Sequence, residues 1–244
     1  MRIRRGPAKG MRWIVGSASH GCWLGTYELA KRNAILRFVE PGMTVFDIGA
    51  QAGIYTLLFS RLVGPRGKVF AFEPCPFENR NLLRHVRLNS LSNVVVISAA
   101  LADRPGLGRF SIDAKQTENS LSSNSCSPLF VPTARLDDLD LPPPDLIKMD
   151  IEGGESDALV GAERILRDIR PTIFLALHGE EHRRQCSALL RKHKCALFDI
   201  EGRLIDGEVE TDEIYAIANE KTGRLAGAPG PGLSENPKSG PLKV

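Results

Sequence analysis

Short apolar runs alternate along this chain with stretches whose apolar residues fall at helical spacing. Runs at 45–48, 69–72, 94–99, 145–150 and 172–177 have the length and composition of buried strands, each bounded by glycine, proline or polar clusters. Helices are predicted between them over 53–63, 79–91, 156–167 and 181–192, and another over 27–39 before the first strand. Two further strands near 196–200 and 214–218, joined by a short connection, predict an antiparallel hairpin at one edge. This alternation predicts an α/β fold, a mostly parallel sheet with helices on both faces. Three stretches stand outside the pattern. An irregular basic arm is expected over 1–26, and a disordered Gly/Pro-rich tail over 221–244, leaving 27–220 as the folded domain. The polar, Ser- and Asn-rich residues 113–128, flanked by strand-like runs at 107–112 and 129–133, are expected to form a lid facing the substrate.

The most informative stretch follows the first apolar run. Asp47 is followed by Gly49-Ala50-Gln51-Ala52-Gly53 and then at once by a helical pattern. Glycines at such a turn let the backbone bend sharply and let a ligand come close. The helix start favours a polar ligand at the carboxyl end of a strand, where open α/β sheets bind theirs. A dinucleotide loop wants G-x-G-x-x-G; this one is G-x-x-x-G, and a carboxylate at Asp47 would repel a pyrophosphate. A ligand with an amino group and a sulfonium suits it better, which describes S-adenosylmethionine. The second run ends in Glu73, an acid placed to accept both ribose hydroxyls. Asp47, Gly49, Ala50, Gln51, Gly53, Tyr55 and Glu73 are therefore assigned to the cofactor. Ala100, after the third strand, is assigned to the adenine by topology alone.

Composition narrows the classes. The 244 residues carry a formal net charge of +3, too small to demand a nucleic-acid partner. No apolar run approaches a membrane span, and the basic N-terminus lacks the apolar core of a signal peptide, so a soluble cytoplasmic protein is expected. Five scattered cysteines, none in C-x-x-C spacing, argue against a disulfide framework and a zinc site.

Val45–Thr56, Phe70-Ala71-Phe72-Glu73-Pro74 and Ile147-Lys148-Met149-Asp150-Ile151-Glu152-Gly153 together resemble the FkbM-type methyltransferases, over about residues 23–202. The resemblance implies a Rossmann-like class I methyltransferase fold with a seven-stranded sheet. It also implies S-adenosylmethionine-dependent O-methylation of sugar, polyketide or related hydroxyls. By position, Asp47, Gly49 and Gly53 would cradle the methionine portion, Glu73 the ribose, and Asp150 would face the transfer site. The chain departs from the family in having Gln51 where Asn is common, and Ala176 where a glutamate commonly precedes the histidine by two residues.

Methyl transfer to a hydroxyl needs alignment and is helped by a general base. Asp150 and His178, at the ends of the fourth and fifth strands, are the candidates, with Asp150 preferred on its Asp-x-Glu-Gly context. No third oxygen ligand stands at useful spacing from Asp150 and Glu152, so no metal is expected. Two competing readings are a nicotinamide oxidoreductase, disfavoured by Asp47 and the missing third glycine, and a non-catalytic cofactor-binding module, for which Ala176 is the one hint. The expected partner is a small-molecule or glycan hydroxyl acceptor.

Overall fold

The computed structural model describes residues 1–110 and 129–227. In chain order its strands are β1 (Thr44–Ile48), β2 (Lys68–Phe72), β3 (Val94–Ile97), β4 (Ala100–Leu101), β5 (Gly106–Phe110), β6 (Leu129–Ala134), β7 (Leu146–Met149), β8 (Thr172–Ala176), β9 (Cys195–Asp199) and β10 (Glu213–Ala218). The helices are α1 (His20–Leu24), α2 (Leu29–Leu36), α3 (Ile54–Val63), α4 (Pro76–Leu88), α5 (Glu155–Val160) and α6 (Glu180–Lys192).

Seven strands form one sheet in the order β3-β2-β1-β7-β8-β10-β9. All neighbours are parallel except β10, which runs antiparallel to both β8 and β9. The expected mostly parallel sheet with an antiparallel edge hairpin is therefore present. Its connection spans residues 200–212, longer than the sequence suggested, and β10 lies on the inside with β9 at the rim. Strand order reverses between β1 and β7, so the crevice of an open α/β sheet opens at their carboxyl ends.

Alternate strand residues feed two apolar layers, as the pleat requires. Val45, Val69, Leu146, Phe174 and Tyr215 pack under α2 and α3, with Ala34, Ile35, Leu58 and Phe59. Phe46, Ile48, Phe70, Ile147, Met149, Ile173 and Leu175 pack on the other face, against Ala158, Leu159, Cys186 and Leu190 of α5 and α6.

Several elements differ from the pattern-based reading. The third strand is half-exposed, not buried, because β3 is a sheet edge with one neighbour; Val95 is 45% exposed. The helix expected over 79–91 begins earlier, with Pro76 at N1, where no N–H is needed. The helix expected over 156–167 stops at Gly161 and gives way to a π-helical turn at Ile165–Ile169. A side chain at Gly161 would put its Cβ 2.1 Å from the Ala102 carbonyl oxygen. Beyond Lys221 the chain continues as 3-10 helix, Asn219–Gly227, where the tail was expected to begin. The proposed lid, 113–128, and the rest of the tail lie outside the described residues.

The arm is the largest surprise. Ile3, Ala8, Trp13 and Cys22 are buried with Ala52 and Leu57, next to the glycine loop. The Trp13 ring stacks on His85 of α4 with centroids 4.0 Å apart. His85 Nδ1–H donates to the Ala52 carbonyl at 2.7 Å, and Nε2 accepts the Ile14 N–H at 3.0 Å. The ring is thus used as a neutral bridge from arm to loop. Burial depresses its pKa, and the Arg84 charge adds to this against the opposing Ala52 bond.

Because the folded protein favours the neutral ring, the unfolded chain takes up the extra proton. The bridge's contribution is then full above the unfolded pKa of about 6.5 and is lost as pH falls below it. Denaturant unfolding at pH 7.5 and 5.5 should show wild type losing more stability between the two than His85→Gln. Equal losses would mean that the ring does not titrate in this way.

Candidate active site

The loop after β1 turns through three left-handed residues, Gly49 (φ 75°), Gln51 (φ 49°) and Gly53 (φ 95°). Gly49 is required sterically: a Cβ there would lie 1.8 Å from the Asp150 carbonyl oxygen. This close approach joins the loop after β1 to the loop after β7. Gln51 adopts a conformation that costs a long side chain more than glycine or asparagine. Gly49 and Ala50 N–H groups both donate to the Phe72 carbonyl at 3.0 Å, which hangs the loop on the end of β2.

Glu73 completes that attachment. It is 4% exposed; Oε2 accepts the Gln51 N–H at 2.7 Å and Oε1 the Cys75 N–H at 2.8 Å. Burial raises its pKa against those two bonds. Each carboxylate oxygen keeps a further lone pair, so Glu73 can still accept from a diol. Nearby in the first turn of α4, Glu78 has a buried Oε2 without a partner among the described residues, and burial together with the Glu73 charge raises its pKa to about 7. Two neighbouring carboxyls short of donors fit a ribose, which brings two O–H groups. Glu78 was not singled out in the sequence, where it looks like an ordinary acid at a helix N-terminus.

Asp47 sits differently from the expectation. It is fully buried, with Oδ2 accepting the Thr56 hydroxyl at 2.6 Å and Oδ1 3.4 Å from Lys148 Nζ. The two are register partners on β1 and β7 and share one face of the sheet. Lys148 also donates to the Gly49 carbonyl at 2.9 Å and stands 5.4 Å over the Tyr55 ring. The carboxylate expected to meet a cationic ligand meets a lysine instead, so Asp47 shapes the loop from beneath. Tyr55 is buried, its hydroxyl donating to Glu28 at 2.8 Å. Ala100 is half-buried and paired with Thr133 of β6, in a small sheet ordered β4-β6-β5.

The loop after β7 carries a second cluster. Lys31, buried on α2, donates to Asp150 Oδ2 at 2.8 Å and lies 3.1 Å from Glu213 and 3.7 Å from Glu28. Burial opposes its charge, but these carboxylates outweigh that and hold its pKa well above the usual lysine range. Burial likewise pushes Asp150 up, and the Lys148 and Lys31 charges more than reverse it, leaving the carboxyl below its ordinary value. His178 Nδ1 bonds Glu155 Oε1 at 2.8 Å, while Nε2 faces Asp150 Oδ1 at 3.8 Å and Glu152 Oε2 at 3.4 Å. Burial lowers the His178 pKa, but Glu155 and the other two carboxylates turn the net shift upward. Glu155 is fully buried and also accepts the Ile151 and Gly153 N–H groups. The preference for Asp150 as base loses its ground here: a lysine-bonded, acidified carboxylate is the weaker proton acceptor of the two.

The missing glutamate at Ala176 has a counterpart. Glu213 of β10 is its direct register partner, and opposite residues of an antiparallel pair share a face. The carboxylate reaches Lys31 from the neighbouring strand.

Against this geometry, a family model described as "Methyltransferase FkbM domain" matches residues 47–220. The chain belongs to the FkbM methyltransferase family. It is an S-adenosylmethionine-dependent methyltransferase of class I fold, and the oxidoreductase and binding-module readings are not favoured. The 2-O-methyltransferase NoeI of Sinorhizobium fredii is 29% identical over 168 residues, covering 59% of this chain and 68% of its own. The crystal structure of the FkbM methyltransferase from Methylobacillus flagellatus KT has a TM-score of 0.48 at 18% identity, covering 72% of this chain and 43% of that one. A candidate rRNA-methylase from Clostridium thermocellum gives a TM-score of 0.51 at 15% identity, covering 77% of this chain and 92% of that chain. In the FkbM protein described here, Asp47 supports the first loop from beneath, while Glu73, at the end of β2, keeps lone pairs that a ligand's donors could take.

Two measurements separate these roles. Glu73→Gln, which removes a charged acceptor but keeps the size, should weaken S-adenosylmethionine binding about tenfold, as for a lost charge-assisted bond; affinity within twofold of wild type would remove Glu73 from the ribose site. Lys148→Met strands the Asp47 carboxylate in the core and should cost about 3–5 kcal/mol of stability in denaturant melts. A loss under 1 kcal/mol would mean that the pair is not sealed from water.

Proposed function

We propose that the methyl acceptor is a hydroxyl of a sugar or similarly polyhydroxylated molecule, held in front of Asp150, Glu152 and His178. The observation that carries this reading is the contact between Gly49 and the Asp150 carbonyl, which makes the cofactor loop and the acidic cluster two walls of one crevice. Carboxylates dominate the acceptor side, and they accept hydrogen bonds from hydroxyls. The printed name of NoeI, a 2-O-methyltransferase, supports oxygen as the receiving atom.

The cofactor supplies a methyl group on a sulfonium. The chain supplies alignment: Glu73 and the Gly49–Gly53 loop hold the donor, and Asp150, oriented by Lys31, orients the acceptor. Positioning of this kind is worth several kcal/mol of barrier. Tyr27 and Glu28, beside Lys31 and Tyr55, wall the same crevice from α2 and its approach. No helix among the described residues is long and apolar enough to cross a membrane.

The test is a panel of saccharides, a hydroxylated polyketide and an RNA oligomer, read by release of S-adenosylhomocysteine. Turnover is expected with a saccharide. Turnover confined to the RNA would overturn the reading. In Asp150→Asn, methyl transfer should fall by about 100-fold or more, the scale of a lost positioning or proton-transfer group, while cofactor affinity stays within about threefold. If cofactor affinity falls in parallel with turnover, Asp150 belongs to the donor side.

A further inference from the structure

We propose that Asp150, Glu152 and His178 form a divalent-cation site, and that the acceptor hydroxyl is bound through this cation. The inference deepens the acceptor reading above and rests on it for the cation's role, though not for its binding.

The three residues each offer one ligand atom, and these atoms lie within 4.8 Å of one another. Bonds of about 2.1 Å place adjacent ligands of an octahedral ion about 3 Å apart, so the side chains need close only modestly. Glu152, 60% exposed, has the freedom to do so. Two of the three ligands already have an outer partner. Lys31 takes Asp150 Oδ2 and leaves Oδ1 free. Glu155 takes Nδ1–H of His178, and that carboxylate is itself pinned by two backbone N–H groups. A histidine whose second nitrogen is held by a buried carboxylate is the usual arrangement of a metal ligand.

The orientation of His178 is the independent observation. With Nδ1 bonded to Glu155, Nε2 is left facing two carboxylate oxygens, Asp150 Oδ1 at 3.8 Å and Glu152 Oε2 at 3.4 Å, and it offers a cation a lone pair once its proton is displaced. Nε2 makes no hydrogen bond among the described residues. Three ligand atoms converging on one point, two of them carboxylate oxygens, describe a place where a cation can displace the Nε2 proton. Charge agrees: Asp150, Glu28 and Glu213 surround Lys31, and Glu152 and Glu155 flank His178. Two carboxylates and one imidazole with open positions suit Mn²⁺, and Mg²⁺ more weakly. Sequence spacing missed the site because it sought a third oxygen near Glu152. The third ligand is a nitrogen from the end of β8, brought alongside by the β7–β8 pairing.

At the open positions the cation would take the acceptor hydroxyl and lower its pKa. The balance of the transfer is unchanged: the acceptor oxygen forms the new C–O bond, the C–S bond breaks with its electrons left on sulfur, and the hydroxyl proton leaves to solvent.

The experiment uses the full chain, stripped with EDTA and dialysed. Calorimetry and Mn²⁺ electron paramagnetic resonance should show one Mn²⁺ site of micromolar affinity, weakened at least tenfold in His178→Ala and in Glu152→Gln. The Glu152 change is at an exposed side chain and leaves the fold intact, which circular dichroism checks. EDTA should cut methyl transfer at least tenfold and Mn²⁺ should restore it, with S-adenosylmethionine affinity unchanged throughout. No binding up to 1 mM Mn²⁺, or binding that ignores both substitutions, overturns the site. Methyl transfer indifferent to EDTA overturns the cation's role and returns the proton to His178 Nε2, leaving the O-methyltransferase reading in place. Failure of every saccharide with Mn²⁺ bound would instead overturn the acceptor class alone.

Discussion

The buried ion pair of Asp47 and Lys148 is the constraint from which the rest of the site follows. One carboxylate and one ammonium sit between β1 and β7 beneath a glycine loop, shielded from water. Such a pair is retained at a desolvation cost of several kcal/mol per ion unless the remaining valences are filled. Here Thr56 fills one and the Gly49 carbonyl another. The lysine therefore fixes the first peptide of the loop as well as the register of two strands. Asp150 lies two residues beyond Lys148, on the same side of the pleat, and takes its own cation, Lys31, from α2. Opposite charges thus alternate from the core outward, ending at the solvent-facing Glu152.

Much of the fold was legible in the sequence because it depends on periodicity and turn residues, which are local. All seven strands of the main sheet were found, and the glycine loop identified the crevice. Errors fell where a distant partner decides the outcome. Asp47 shows a carboxylate in sequence, but the cation that claims it stands 101 positions on. Nothing local in the 27–39 helix marks Lys31 as buried. Glu155 looked like a helix N-terminal acid, and its burial under His178 depends on the β7–β8 pairing. The same holds for Ala176, which looked like a lost carboxylate until the antiparallel register placed Glu213 opposite it.

The basic arm was misjudged for a related reason. Its residues lack a helical or strand period, so their burial cannot be inferred from spacing. Trp13 and Ile3 are nevertheless among the least exposed side chains. A tryptophan so buried contributes on the order of 3–5 kcal/mol against truncation, enough to hold an irregular segment in place. Through His85 the arm contacts Ala52 inside the glycine loop, so arm packing and loop shape are linked.

The two sides of the crevice are built by opposite rules. On the side of the glycine loop, Glu73 is held by two backbone N–H groups, one on each oxygen, and Gly49 and Ala50 donate to the end of β2; little there can adjust without unravelling a strand end. On the acceptor side the inner atoms are pinned while the outer ones are left open: Asp150 is bonded through one oxygen only, His178 through one nitrogen only, and Glu152 is exposed. Rigid support behind free lone pairs is the condition under which a ligand gains most from binding, because little ordering remains to be done when it arrives. In the proposed reading this division gives the donor a fixed seat in the glycine loop and leaves residues drawn from α2, the end of β8 and β10 to complete the acceptor side.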